Sequence, residues 1–159
     1  MRTTRRALSR YIGVSMVLPA LVTAVGALLQ WSWTAELPSP VANHWSGSGP
    51  DGFGPAWQTI AATIGFGWVL PVLLSTLLIP AITRQRASTA TVRFMAGTCL
   101  WTSLFLAGLL TSTLWIQRGL SDASHAPGIG GWLAASMAIA TVASTACAFS
   151  VPTLTDEHG

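Results

Sequence analysis

His44 and Asp51 are the residues whose types could do chemistry together, since an imidazole and a carboxylate can share a proton or bind an ion such as zinc. Glu36, Asp122 and His125 could join them if the chain puts its links on one side. His44 and Asp51 stand seven positions apart in what reads as a loop, with no helical spacing to converge them. No H-E-x-x-H, nucleophile elbow or cysteine-based metal motif is present, and Gly47, Gly49, Gly52 and Gly54 do not make a phosphate-binding loop. His44, Asp51 and His125 are therefore metal-ligand candidates by type alone. No cofactor is expected, and the chain reads as non-enzymatic. As structural residues, His44 would hydrogen-bond loop backbone, Trp45 would pack at a membrane surface and Asp51 would bond within its own turn. As a recognition surface, His44, Trp45, Asp51, Gly52 and Phe53 would act together.

The elements that must position these residues are apolar. The chain is 51% hydrophobic and 8% charged, against about 25% charged for a soluble domain. Four runs reach the roughly 20 residues a spanning helix needs: Tyr11–Trp33, Trp57–Ile82, Phe94–Ile116 and Gly131–Pro152, none with an ionisable Asp, Glu, Lys, Arg or His. The expectation is an all-α integral membrane protein, a four-transmembrane-helix bundle with a structured extracytoplasmic loop between helices 1 and 2. It forms a single membrane domain over residues 1–159, with the outer loop at 34–56. Pro19, Pro71 and Pro80 predict kinks, or an early end to the second helix near Pro80. The first run reads as an uncleaved anchor: its apolar stretch exceeds the roughly 7–15 residues of a signal-peptide core, and no small-x-small site follows Trp33. No internal repeat is visible, and the tail Thr153–Gly159 is expected to fray.

All the basic residues are Arg, and seven of the eight fall in two clusters, Arg2 to Arg10 and Arg84 to Arg93. Only Arg118 lies on the other side of the spans. The positive-inside rule then puts both termini in the cytoplasm. Trp31, Trp33, Trp45, Trp57, Trp115 and Trp132 gather at the outer ends, where an indole is half buried and its N–H is wet. The Arg clusters are topology signals compatible with anionic lipid, and no nucleic-acid-binding fold accompanies them. Cys99 and Cys147 lie inside apolar runs and read as reduced thiols. Small residues at Ser136, Ala140, Ser144 and Ala148, and at Gly130, Ala134 and Ala138, mark helix-packing stripes, within the chain or between copies. With no ionisable group inside a span, a stand-alone ion-coupled carrier is not expected.

The outer loop is too long for a plain link, and Val41, Trp45, Phe53 and Trp57 give it something to bury. Val41–Trp45 could be a short strand, Pro50-Asp51-Gly52 fits a tight turn, and Pro55 suits the start of a helix. Its residues Leu37, Pro38, Pro40, His44, Trp45, Gly49, Pro50, Asp51, Gly52, Phe53 and Gly54 form the pattern LP-x-P…HW…G-P-D-G-F-G. That pattern resembles a bacterial membrane domain of unknown function found at the N-terminus of SdpI-type immunity proteins. With its flanking helices the resemblance covers about half of the chain. The G-x-R-T-P-W segment of the SdpI-type C-terminal region has no counterpart after Ile82. The resemblance implies a bacterial inner-membrane protein whose outer cap recognises a toxic peptide or an envelope component. The rival expectations are an accessory subunit of a larger membrane complex and an outer-face metal site. The partners expected are the lipid bilayer, a membrane protein or a second copy, and an extracytoplasmic peptide, with no nucleic acid.

Overall fold

The computed structural model describes residues 2–47 and 49–154. Most of the tail expected to fray therefore lies outside the described residues. Its first part is tied down, because the Leu154 N–H donates to Thr89 Oγ1 at 2.8 Å.

Among the described residues, four helices are long and apolar enough to cross a membrane: α1 (Thr4–Ser32), α2 (Ala56–Thr83), α3 (Thr89–Trp115) and α4 (Gly130–Phe149). A two-stranded antiparallel hairpin, β1 (Val41–Ser46) and β2 (Gly49–Gly54), lies between α1 and α2. Short 3-10 turns at Thr34–Glu36 and Ala123–His125 complete the same end. The helical runs expected from the sequence match these helices in number and order, but two begin earlier than expected and the fourth ends at Phe149, short of the expected Pro152. The helical run containing α1 starts at Arg2 because the basic segment is itself amphipathic, burying Ala7 and Tyr11 completely. α3 starts at Thr89 because Ser88 caps it, accepting from the Thr91 N–H at 3.1 Å.

Pro80 does not end α2, which runs through it to Thr83. There the chain reverses with Gln85 at φ 55°, the Gln85 N–H bonding the Ile82 carbonyl at 3.1 Å and the Arg86 N–H bonding the Ala81 carbonyl at 2.8 Å. This is a Schellman stop with glutamine where glycine is usual.

Pro19 and Pro71 act in a matched way that amends the expectation of no repeat. Each follows a π-helical turn, Gly13–Val17 in α1 and Gly65–Val69 in α2. The two segments read GVSMVLP and GFGWVLP, a shared G-x-x-x-V-L-P. In each, the leucine N–H bonds the glycine carbonyl five residues back. A proline has no N–H for the carbonyl four residues before it, which frees Ser15 O and Gly67 O. A serine on another helix takes each. Ser75 Oγ of α2 donates to Ser15 O at 3.2 Å, and Ser103 Oγ of α3 donates to Gly67 O. The wide turns are thus held by hydroxyls, as an apolar surrounding requires.

These bonds belong to a buried, uncharged polar interior. Tyr11 OH donates to Ser75 O at 3.1 Å, and Ser75 Oγ also lies 3.2 Å from Cys99 Sγ. Nearer the hairpin, Gln30 Nε2 bridges Thr63 Oγ1 and Thr111 Oγ1, both at 2.9 Å, and so joins α1, α2 and α3. At the opposite end the interior turns apolar around Tyr11, Val14, Ile82, Val92 and Leu100. The outside is the reverse: Leu28, Leu77 and Val142 are 70%, 76% and 72% exposed. Exposed apolar surface on this scale marks a face that meets lipid or another protein.

α3 is the axis, packing against all three other helices, while α4 packs mainly on α3. The stripe Ser136, Ala140 and Ser144 is buried in that contact. A Cβ on Gly108 would sit 3.2 Å from Ser136 Oγ, so the small residues are what allow the approach. Cys99 is buried, Cys147 is partly buried, and both thiols are free.

Candidate functional site

The hairpin is built from the loop at 34–56, but not as expected. The strand read from the sequence at Val41–Trp45 is present and runs one residue further, to Ser46. Pro50-Asp51-Gly52 is not a turn; it lies within β2, and the chain reverses between Ser46 and Gly49. Gly49 supplies the positive φ, 123°, that this reversal needs. The register pairs Val41 with Gly54, Ala42 with Phe53 and His44 with Gly52, with irregularities on either side of His44. A Cβ at Gly52 would lie 2.7 Å from His44 Cβ, so only glycine fits opposite the histidine.

This register overturns the expectation that His44 and Asp51 do not converge. His44 Nδ1 and Asp51 Oδ1 are 2.5 Å apart. Both are solvent-facing, with side chains 71% and 45% exposed. The His44 ring bonds a carboxylate and not loop backbone, and Asp51 has a cross-strand partner rather than a turn of its own. Asp51 is held below the usual carboxylate range chiefly by the His44 hydrogen bond, with Ser46 adding to it. A carboxylate on Nδ1 sets the tautomer and leaves Nε2 pointing to solvent as an acceptor in the neutral ring. That is an oriented polar handle.

The rest of the hairpin anchors it. Gln117, fully buried just beyond the end of α3, treats Ala42 as a paired strand residue. Its Oε1 accepts from the Ala42 N–H at 2.7 Å, while Nε2 donates to Ala42 O at 2.9 Å and to Thr113 O at 2.7 Å. Trp45 is a support: it packs on Ala42, Ala123 and Ala126, and Nε1 donates to Pro127 O at 3.2 Å. Arg118 meets Glu36 at 2.7 Å and lies over the rings of Trp33 and Trp115, 4.9 and 4.6 Å from their centroids. Asp122 caps the second 3-10 turn by accepting from the Ser124 N–H at 2.8 Å, which holds its carboxyl below the usual range.

Of the site residues read from the sequence, His44 and Asp51 come together, and Gly52 lies beneath them. Phe53 is 45% exposed on the same strand. His125 faces Asp122 electrostatically instead of joining the pair. Among the described residues no three His, Cys, Asp or Glu side chains gather where they could hold a metal ion. Sequence reasoning missed Gln30 and Gln117. Each is a lone amide at the hairpin end of an apolar run, a position where an unpaired amide would be costly.

Comparison with family models, curated proteins and solved structures gives no match for this chain.

Proposed function

We propose that this is a non-enzymatic multi-pass bacterial inner-membrane protein whose hairpin is an extracytoplasmic recognition cap, of the toxin-immunity or sensing type. The observation that carries the reading is a division of labour within one hairpin. Val41, Ala42 and Trp45 are spent on anchoring, while the oriented His44–Asp51 pair and Phe53 are left exposed. An anchored loop is a good ligand platform. An imidazole, a carboxylate and an aromatic ring on one strand pair suit a peptide or another mixed polar and apolar ligand. Membrane residence is supported by the apolar exterior and polar interior, and the orientation by the Arg clusters at the end opposite the hairpin.

The test uses His44→Gln, Asp51→Asn and Phe53→Ser together, leaving Trp45 and Gln117 intact. A gene-deletion strain is scored for sensitivity to secreted peptides and envelope stress, then complemented. The triple variant should accumulate normally and fail to restore the wild-type response. Full complementation would sink the recognition reading.

A second reading, an accessory subunit, is favoured by the cleft of about 470 Å³ between α1 and α2, where Ala20, Ala24 and Ala27 face Ile64 and Trp68. Small residues of this kind let a further helix approach closely. Mild-detergent purification that never retains a stoichiometric membrane partner would count against it.

A further inference from the structure

We infer that the cleft between α3 and α4, at the end opposite the hairpin, binds one anionic glycerophospholipid, with its phosphate on Arg93 and an acyl chain laid along the helices. The inference rests on the bundle residing in a bilayer, but not on what the hairpin recognises.

The cleft has a volume of about 420 Å³ and runs from Arg93 at its mouth past Gly97 and Thr98 to Trp101, with Ser144 and Ala148 opposite. Arg93 to Trp101 spans eight residues of helix, about 12 Å. The lining is mostly apolar, which offers nothing to a free phosphate ion and much to a hydrocarbon chain. Phe94 and Phe149 stand at the mouth, 75% and 68% exposed. Exposed rings level with a guanidinium are the arrangement of a membrane interface, with the rings among acyl chains and the charge at phosphate depth.

Arg93 is pre-set for an anion. Its Nε donates to Val151 O at 2.9 Å, and its Cζ lies 5.5 Å from the centroid of the Phe149 ring. One of the five N–H groups of the guanidinium is thus used in fixing it, and the outer fork is left for a phosphate. The start of α3 adds the positive end of a helix dipole and has no acidic residue in its first turn.

Among the described residues, the charge around this site has one sign. Among the described residues the acids are Glu36, Asp51 and Asp122, all at the hairpin end. On the other side of the turn after α4, Arg5, Arg6 and Arg10 line a second cleft with Ser150 and Pro152. Val151, whose carbonyl holds Arg93, lies between those two residues. Four guanidinium groups therefore flank the end of α4, and basic clefts between spanning helices are where anionic headgroups settle.

The experiment is native mass spectrometry of the full chain in detergent, titrated with phosphatidylglycerol or with phosphatidylcholine of the same acyl composition. The wild type should retain phosphatidylglycerol in preference. Arg93→Gln should weaken that binding about fivefold, the effect of one basic residue at an anionic surface. Arg84→Gln removes the same charge at the same end without touching the cleft, and should have a smaller effect. Thr98→Phe, at an exposed position, fills the groove with the charge intact and should also lower retention. Equal retention of the two lipids, an unchanged Arg93→Gln, an equal effect of Arg84→Gln, or an unchanged Thr98→Phe would each overturn the site. Recovery of the chain in the soluble fraction of its own cells would instead overturn the membrane reading beneath it.

Discussion

The two proline-bearing π turns make a prediction with a built-in control. If Ser103 is needed because Pro71 cannot supply an N–H to Gly67 O, then Ser103→Ala is costly only while the proline is present. Ser103 Oγ donates to Gly67 O and, at 3.0 Å, to Cys99 O of its own helix. The second acceptor keeps a main-chain donor within α3, so the loss is that of Gly67 O alone. Orphaning a buried acceptor costs about 1–3 kcal/mol, whereas hydrogen bonds between membrane helices average about 0.6 and reach about 1.7 kcal/mol. The expected penalty of Ser103→Ala is therefore about 1–1.5 kcal/mol, taken where these two ranges overlap. In a Pro71→Ala background the new N–H serves Gly67 O, and the penalty should shrink to the roughly 0.3–0.5 kcal/mol scatter of independent sites. The assay is reversible unfolding in mixed micelles, followed by tryptophan fluorescence, on the four proteins of the cycle. Ser112→Ala is the control, because its hydroxyl bonds only Gly108 O one turn back in the same helix, and it should not couple to Pro71. Additive effects of Pro71→Ala and Ser103→Ala would refute the argument. The Pro19 and Ser75 cycle should give the same sign with a smaller coupling, since that bond is longer and Ser75 Oγ also meets Cys99.

Gln117→Leu removes both bonds to Ala42 and should cost about 2 kcal/mol; hydrogen exchange should quicken in β1 and β2 while the spans keep their protection. Gln85→Gly should stabilise the chain by about 1 kcal/mol, because φ 55° strains any residue with a Cβ, read as a higher midpoint in the same unfolding assay. Asp51 has a lowered pKa in the folded chain, so its contribution is present above the ordinary carboxylate value of about 3.9 and is lost as pH falls through the lower folded value. Hairpin protection factors, taken relative to intrinsic amide exchange at each pH, should accordingly fall in acid, and Asp51→Asn should remove that pH response except for the part due to Asp122, whose pKa is also lowered. An identical acid response in Asp51→Asn would show that the His44 pair does not hold the hairpin.

The four helices were legible because an apolar run of spanning length leaves few alternatives, and the starts at Arg2 and Thr89 were missed for local reasons. The basic segment before Tyr11 has no apolar run of its own, yet Ala7, Leu8 and Tyr11 give it an apolar face that packs on the interior. The repeat was missed because its two copies differ at three of seven positions and share no ionisable residue. What the copies share is a backbone requirement: a glycine where the turn widens and a proline where it narrows again. Such a requirement becomes visible only when the freed carbonyls are seen to be taken by Ser75 and Ser103.

The site was legible in composition but not in pairing. A separation of seven places two helical residues near the same face, and in a loop it says nothing; across a hairpin whose reversal lies between Ser46 and Gly49 it sets His44 beside Asp51. Reading Pro50-Asp51-Gly52 as the turn moved the reversal toward Asp51 and destroyed that pairing. The glycines were the usable clue. Gly49 is needed for its backbone angle, and Gly52 for the room it leaves beneath His44. A glycine kept for room implies a side chain lying over it, and here the irregular register on either side of His44 is what brings that residue opposite Gly52. The anchoring by Gln117 had no such local clue, since Ala42 and Gln117 are 75 residues apart and their contact is main chain to amide. Only the general cost of burying an amide argued that Gln117 must have a partner, and nothing in the sequence said that the partner was the first strand of the cap.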